Sequence, residues 1–177
     1  LTEKGMIGYE TGLKHAEASS NYHIKIRLWN RLGELAMRGG NWGSFENLNA
    51  ASIALSTKIN DKFGLMSAVP MQGERALIHG DYEVANDSFR QVLEFYRDTG
   101  NAVRIIGTLL NLGRSAFWQG TFSKAEDYVD EAWTLSREIG DRFGLGRALA
   151  LKGLIANASE SYVAAIDAFA ESQSHIE

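Results

Sequence analysis

The sequence lacks cysteine altogether, and Pro70 is its only proline among 177 residues. Without thiols, the chain can form neither a disulfide framework nor a thiolate zinc site. Its formal net charge of −4 does not provide the clustered basic surface that binding to nucleic acid requires. No apolar run reaches the roughly 18 residues of a membrane-spanning helix, and no basic-then-apolar signal segment opens the chain. We therefore expect a cytoplasmic protein that contacts neither membranes nor nucleic acid directly.

Patterns for catalysis and metal binding are also missing. The four histidines do not stand at ligand spacings such as HExxH, and a zinc site needs three or four converging ligands. The glycine-rich stretch 140–146 has neither the spacing nor the lysine of a phosphate-binding P-loop. No serine shares a repeat face with a histidine and an acid, so nucleophilic catalysis has no support. We expect no enzyme activity, no cofactor and no metal.

The sequence does contain a pattern that returns every forty residues. Each copy has a glycine, an alanine three residues later and an aromatic residue nine residues after the glycine. Fixed self-similarity at such a period is typical of stacked helix-pair repeats. The glycines are Gly33, Gly73, Gly113 and Gly153, and the aromatic residues are Trp42, Tyr82, Phe122 and Tyr162.

The apolar spacing within each copy predicts two amphipathic helices joined by a short turn. We expect helix pairs over 21–60, 61–100, 101–140 and 141–177, preceded by one helix over 1–20 that matches only the second helix of a pair. Gly or Asn at the segment ends favours a left-handed C-cap, and the Asp or Asn that follows favours an N-cap. Because the chain opens on part of a repeat, we expect one repeat domain, 1–177, taken from a longer protein.

Glycine in a helix interior costs about 1 kcal/mol relative to alanine, so its recurrence requires an offsetting contact. We expect the recurrent glycine and alanine to form a smooth strip that lets a neighbouring helix approach closely. The aromatic residue of the second helix is predicted to press against this strip, while Phe89, Val129 and Phe169 fill the space between stacked pairs. Pro70, inside the first helix of its pair, is expected to kink that helix.

The Leu-Gly and Ala of the first helix, the Gly-x-aromatic at the turn, and the Ala and large apolar residue of the second helix resemble the tetratricopeptide repeat over nearly the whole chain. The period is forty rather than that family's roughly 34, and no copy closes with proline. Repeats of this length are similar to those of bacterial maltose-activator-like regulators and signalling ATPases. The resemblance implies an all-α, right-handed α-α superhelix of about nine helices, whose first helices line a concave groove.

Carried over by position, the resemblance implies a groove that binds a peptide or protein segment. Arg38, Arg114 and Arg147 can pair with an acidic peptide through bidentate contacts to carboxylates. Phe117 and Trp118 are aromatic anchors of the kind that interfaces favour. The predicted binding residues are Arg27, Asn30, Glu34, Arg38, Glu74, Leu77, Leu110, Arg114, Phe117, Trp118 and Arg147.

Three functions are compatible with these expectations. The first is a non-enzymatic scaffold that binds a protein or peptide in the groove, as the interaction or sensory module of a larger regulatory protein. The second is a small-molecule effector-sensing domain of a transcription regulator, which predicts a deep pocket near Pro70 and Phe117. The third is self-association into a homo-oligomer, because open helix faces at the ends of a repeat array can stack on another copy.

Overall fold

A computed structural model describes residues 11–12, 14–15 and 20–176. Within these residues the chain forms eight α-helices and no strand, and no helix has the length and apolarity to cross a membrane. The helices are α1 (Tyr22–Arg38), α2 (Trp42–Lys58), α3 (Lys62–His79), α4 (Tyr82–Asp98), α5 (Ala102–Trp118), α6 (Phe122–Ile139), α7 (Arg142–Ala158) and α8 (Tyr162–Ile176). The predicted four pairs are present, and the described part of the chain contains eight helices rather than nine. The leading helix predicted for 1–20 lies outside the described residues, apart from residues 11–12 and 14–15, which are helical, and residue 20, which is in a turn.

The connectors between helices share one backbone pattern. The N–H of Asn41 donates to the carbonyl oxygen of Ala36 at 2.8 Å, and that of Thr121 donates to Ala116 at 2.9 Å. Such bonds across five residues define the Schellman arrangement, in which the residue before the donor has a positive φ. The positive-φ residues of these connectors are Gly40, Asn60, Gly80, Gly100, Gly120, Gly140 and Glu160. The left-handed C-caps predicted at Asn60, Gly100 and Gly140 are confirmed, and the other four connectors share this conformation.

The residue after each positive φ begins the next helix. The Oδ1 atom of Asn101 accepts a hydrogen bond from the N–H of Arg104 at 3.2 Å, and that of Asp141 accepts one from Gly144 at 3.0 Å. These bonds satisfy N–H groups that have no partner within the helix, as predicted for Asn and Asp caps. Asp81 stands at the same kind of position before α4, but its side chain makes no cap hydrogen bond.

Glu160 is the connector residue that fits its backbone conformation least well. Its φ is 59°, in the left-handed region that costs a residue with a Cβ atom about 1 kcal/mol. We expect Glu160→Gly to raise the free energy of unfolding by about 0.5–1 kcal/mol, measured by urea denaturation. The reverse change at the equivalent position one pair earlier is Gly120→Glu, where φ is 74°. This change should lower the free energy of unfolding by about 1 kcal/mol. A Glu160→Gly protein less stable than its parent would contradict this account.

The contacts divide the chain into two compact units, Leu1–Arg75 and Ala76–Glu177, here called the N-terminal and C-terminal units. Helices of a repeat array bury their surfaces mainly against neighbours, so no single central core is needed. In the N-terminal unit, α1 packs against α2, around Met37, Phe45, Ala68 and Met71.

The C-terminal unit has the larger apolar core. Each helix from α4 to α8 packs against the next one along the chain. Phe89, Ile106, Leu109 and Val129 are among the fully buried side chains of this core. Phe89 and Val129, predicted to fill the space between stacked pairs, are both buried in this core, and Val129 also lies beside Gly113 within its own pair.

The recurrent glycines are buried, as expected, but a different residue fills the space beside them. A Cβ atom at Gly113 would lie 3.0 Å from Cγ2 of Val129 on α6 and 3.2 Å from Cδ2 of Leu151 on α7. A Cβ atom at Gly153 would lie 2.6 Å from the ring of Phe169. The residue nearest to Gly113 or Gly153 is therefore Val129 or Phe169, and not the aromatic residue at the start of the second helix.

The geometry of a short hairpin explains this difference. Two antiparallel helices joined by three residues pair the end of the first with the start of the second, and mid-helix residues with mid-helix residues. Phe122, at the start of α6, accordingly meets Phe117 near the end of α5, with ring centroids 5.7 Å apart. Gly113 lies deeper in α5 and faces Val129, two turns into α6.

Candidate inner-face binding site

The helices of the C-terminal unit are not evenly spaced. The backbones of α5 and α7 come into direct contact, whereas in the described chain those of α4 and α6, or of α6 and α8, do not. An ion pair between the long side chains of Arg97 and Glu131 bridges α4 and α6. First helices that lie closer together than second helices form the inner side of a curve. Within this unit, α5 and α7 therefore provide the inner surface.

One stripe of side chains on α5 faces away from the core. This stripe consists of Val103, Gly107, Arg114 and Trp118. They are four, seven and four residues apart, so they share one side of the helix. A Cβ atom at Gly107 would meet nothing within 4 Å, so this position opens to free space. On α7 the corresponding stripe contains Phe143, Arg147, Ala150 and Leu154. With the half-buried Phe117, these residues are called the inner face below.

The inner helices carry only one sign of charge. Neither α5 nor α7 contains Asp or Glu, although the whole chain has a net charge of −4. Three of their five basic side chains are engaged away from the inner face: Arg104 over the ring of Tyr96, Arg142 with the carbonyl oxygen of Ser174 and Lys152 with Asp130. The other two, Arg114 and Arg147, lie within the inner face, which is therefore cationic as well as partly apolar.

The predicted binding residues of the C-terminal unit do not all lie on that surface. Trp118 is 61% exposed, and its ring packs edge-on against Phe117 with centroids 5.2 Å apart. Arg114 reaches Asn111 at 3.5 Å, and the guanidinium of Arg147 stands over the ring of Phe143. By contrast, the side chains of Leu110 and Leu77 belong to the core and are 1% and 7% exposed. Neither of the two leucines presents surface to a ligand, which corrects their placement in the groove.

In the N-terminal unit, several predicted residues are occupied by internal contacts. Asn30 is buried, donates to the carbonyl oxygen of Gly64 at 3.3 Å and accepts a bond from the hydroxyl of Ser52. Asn30 is thus part of the interior polar network and not of a ligand surface. Glu34 holds Arg38 at 2.9 Å. An exposed pair of this kind contributes little to stability, so a ligand carboxylate can compete for Arg38.

The remaining predicted residues of this unit, Arg27 and Glu74, are exposed and half-buried, respectively. His23, one turn before Arg27, places its Nδ1 atom 2.7 Å from Oδ2 of Asp61. Burial raises the pKa of Asp61. Four other effects outweigh it and hold this pKa below its ordinary value: a hydrogen bond from the Gly64 N–H, the hydrogen bond and the charge of His23, and a hydrogen bond from the Phe63 N–H. The ionised carboxylate thereby serves as the N-cap of α3.

The predicted binding residues omit three large apolar members of the inner face. Val103, Phe143 and Leu154 are all exposed large apolar side chains. Leu154 stands forty residues after Arg114, and Phe143 stands forty after Val103. Selecting the residue at each groove position in every copy, whatever its type, would have identified these three residues.

No family model matches this chain, and no curated protein matches it. Among solved structures, BtubC (BKLC) from P. vanneervenii is similar, with a TM-score of 0.77 and 12% sequence identity. The match covers 98% of this chain and 72% of that chain. Similarity at this identity shows a shared fold: an all-α chain of consecutively packed helices, consistent with a helical repeat. It does not carry a function, because function depends on particular sites.

Proposed function

We propose that this chain is a non-enzymatic binding module of the tetratricopeptide type, in which a right-handed superhelix holds a peptide or protein segment. The resemblance in sequence and the contact between successive first helices support this architecture. In a protein of this class, the module serves as the scaffolding or sensory part of a larger cytoplasmic regulator.

The observation that carries the proposal is the exposed Trp118 beside Arg114 on a face without carboxylates. A large exposed indole next to a guanidinium is the combination that dominates binding energy at many protein interfaces. Arg147 and Leu154 extend the same combination of charge and apolar surface onto α7. The best ligand is therefore a segment that offers carboxylates to the arginines and apolar side chains to Trp118 and Leu154.

Peptide selection tests this proposal directly. A phage-displayed library of random twelve-residue peptides would be selected against the chain, and binding of the enriched peptides would be measured by fluorescence anisotropy. We expect Trp118→Ala to weaken binding by roughly 30-fold, the effect of losing about 2 kcal/mol at an aromatic anchor. For peptides that carry carboxylates, Arg114→Glu should weaken binding more than Trp118→Ala does.

Val84→Ala is the matched control, because Val84 is nearly as exposed, at 57%, but lies on α4, outside the inner face. Its effect on peptide affinity should stay within about twofold. Enriched peptides that bind the Trp118→Ala and Arg114→Glu proteins as well as the parent would refute the assignment of the inner face.

A further inference from the structure

Gly107 stands in the interior of α5 without a reason in its own chain to be glycine. Glycine is among the poorest helix formers, so its presence inside a helix requires an offsetting benefit. At Gly113 that benefit is a close helix contact, since an added Cβ atom would lie 3.0 Å from Val129. At Gly107 an added Cβ atom would meet nothing within 4 Å, and the backbone there is helical, without a positive φ. Neither packing nor backbone conformation therefore requires glycine at this position.

The other repeat copies show that the fold accepts larger side chains at the position of Gly107. The equivalent residues of the other first helices are Arg27, Ser67 and Arg147. Arg147 is a half-buried residue of the inner face on α7, so even a long side chain fits this register. The absence of a side chain at Gly107 leaves helix backbone uncovered on the inner face. A benefit from outside the chain, such as close approach of a ligand, accounts for this glycine.

The uncovered backbone at Gly107 has large apolar neighbours. Val103, one turn earlier on α5, is 60% exposed. Phe143 is its equivalent on α7, which contacts α5 directly, and is 63% exposed. The guanidinium Cζ atom of Arg147 lies 5.8 Å from the ring centroid of Phe143, so the aromatic ring supports the charged group. Val103, Gly107, Phe143 and Arg147 are together called the Gly107 subsite.

The Gly107 subsite combines this apolar surface with positive charge. Neither α5 nor α7 contains Asp or Glu. Asp141, the carboxylate closest in sequence to Phe143, accepts a hydrogen bond from the N–H of Gly144 at 3.0 Å. An added Cβ atom at Gly144 would meet both Asp141 and Ser136 of α6, so the Asp141 carboxylate lies on the α6 side of α7. The charge of the subsite therefore favours an anionic group on the ligand.

We infer that the Gly107 subsite binds an aromatic side chain of a peptide segment that carries Asp or Glu next to the aromatic residue. This inference rests on the proposed function, because it specifies one part of the ligand of the inner face. The flat ring lies against the uncovered backbone of Gly107, between Val103 and Phe143, where aromatic rings pair favourably. The neighbouring carboxylate accepts hydrogen bonds from the guanidinium of Arg147. A side chain at position 107 would occupy the place of the ring.

Gly107→Leu tests this inference, because it fills the subsite while its side chain enters space that no part of the chain occupies. The peptides selected on the parent chain should contain an aromatic residue next to Asp or Glu. Gly107→Leu should weaken their binding about tenfold or more, measured by fluorescence anisotropy. Gly43→Leu is the matched control, because a Cβ atom at Gly43 also meets nothing within 4 Å, but Gly43 lies on α2. Its effect on peptide affinity should stay within about twofold.

Variants of the peptide show whether its ring occupies the subsite. Replacing the aromatic residue by alanine should weaken binding to the parent about tenfold, but should hardly change binding to the Gly107→Leu protein, where the ring has no place. Equal losses on both proteins, selected peptides without the aromatic–acidic pair, or unchanged affinity of the Gly107→Leu protein would overturn the inference. If Trp118→Ala still weakens those peptides, the proposed function stands and only the subsite is wrong. A selection that enriches no peptide would overturn both.

Discussion

Replacing Gly113 by leucine should lower the free energy of unfolding by about 3 kcal/mol, at the upper end of the usual cost of overpacking. Gly113 lies where α5, α6 and α7 meet. The new Cβ atom alone would stand 3.0 Å from Val129 and 3.2 Å from Leu151, and the carbonyl oxygen of Ala125 would be 3.5 Å away. The remaining atoms of the leucine side chain have no space unless two helices move apart. Urea denaturation followed by far-UV circular dichroism measures the loss.

Gly107→Leu is the matched control on the same helix. A Cβ atom at Gly107 meets nothing within 4 Å, so the added side chain enters free space. Leucine is also the better helix former by nearly 1 kcal/mol, so this variant should be as stable as the parent or slightly more stable. Equal stability of the Gly113→Leu and Gly107→Leu proteins would mean that the three-helix contact at Gly113 does not exist in solution.

The two glycines show how far the sequence predicts the fold. The forty-residue period correctly placed the helix pairs, their caps and the burial of the recurrent glycines. It could not identify which residue meets each glycine, because a period fixes equivalent positions in successive copies and not the pairing within one copy. That pairing follows from the connector length and the rotation of each helix, and only the structure shows that Gly113 faces Val129 rather than Phe122.

The binding face was harder to predict for a related reason. Leu110 and Trp118 are both apolar residues on one side of α5, but one is core and the other is exposed. Asn30 shows the reverse, a polar residue that is buried because Ser52 and the backbone of Gly64 satisfy its side chain. Hydrophobic patterning shows which side of a helix is apolar. It does not show which part of that side a neighbouring helix covers.

Removing the ring of Phe89 should be the most destabilising single change in the C-terminal unit, with a loss of about 4 kcal/mol for Phe89→Ala. Phe89 is fully buried within the apolar core, so truncation loses its transfer free energy and leaves a cavity. Phe169→Ala is the matched comparison, because Phe169 occupies the same repeat position on α8 but is 41% exposed. Its ring packs beside Gly153 but stays partly exposed, so the expected loss is about 1–2 kcal/mol.

Equal losses for the two variants would contradict the different burial of these two phenylalanines.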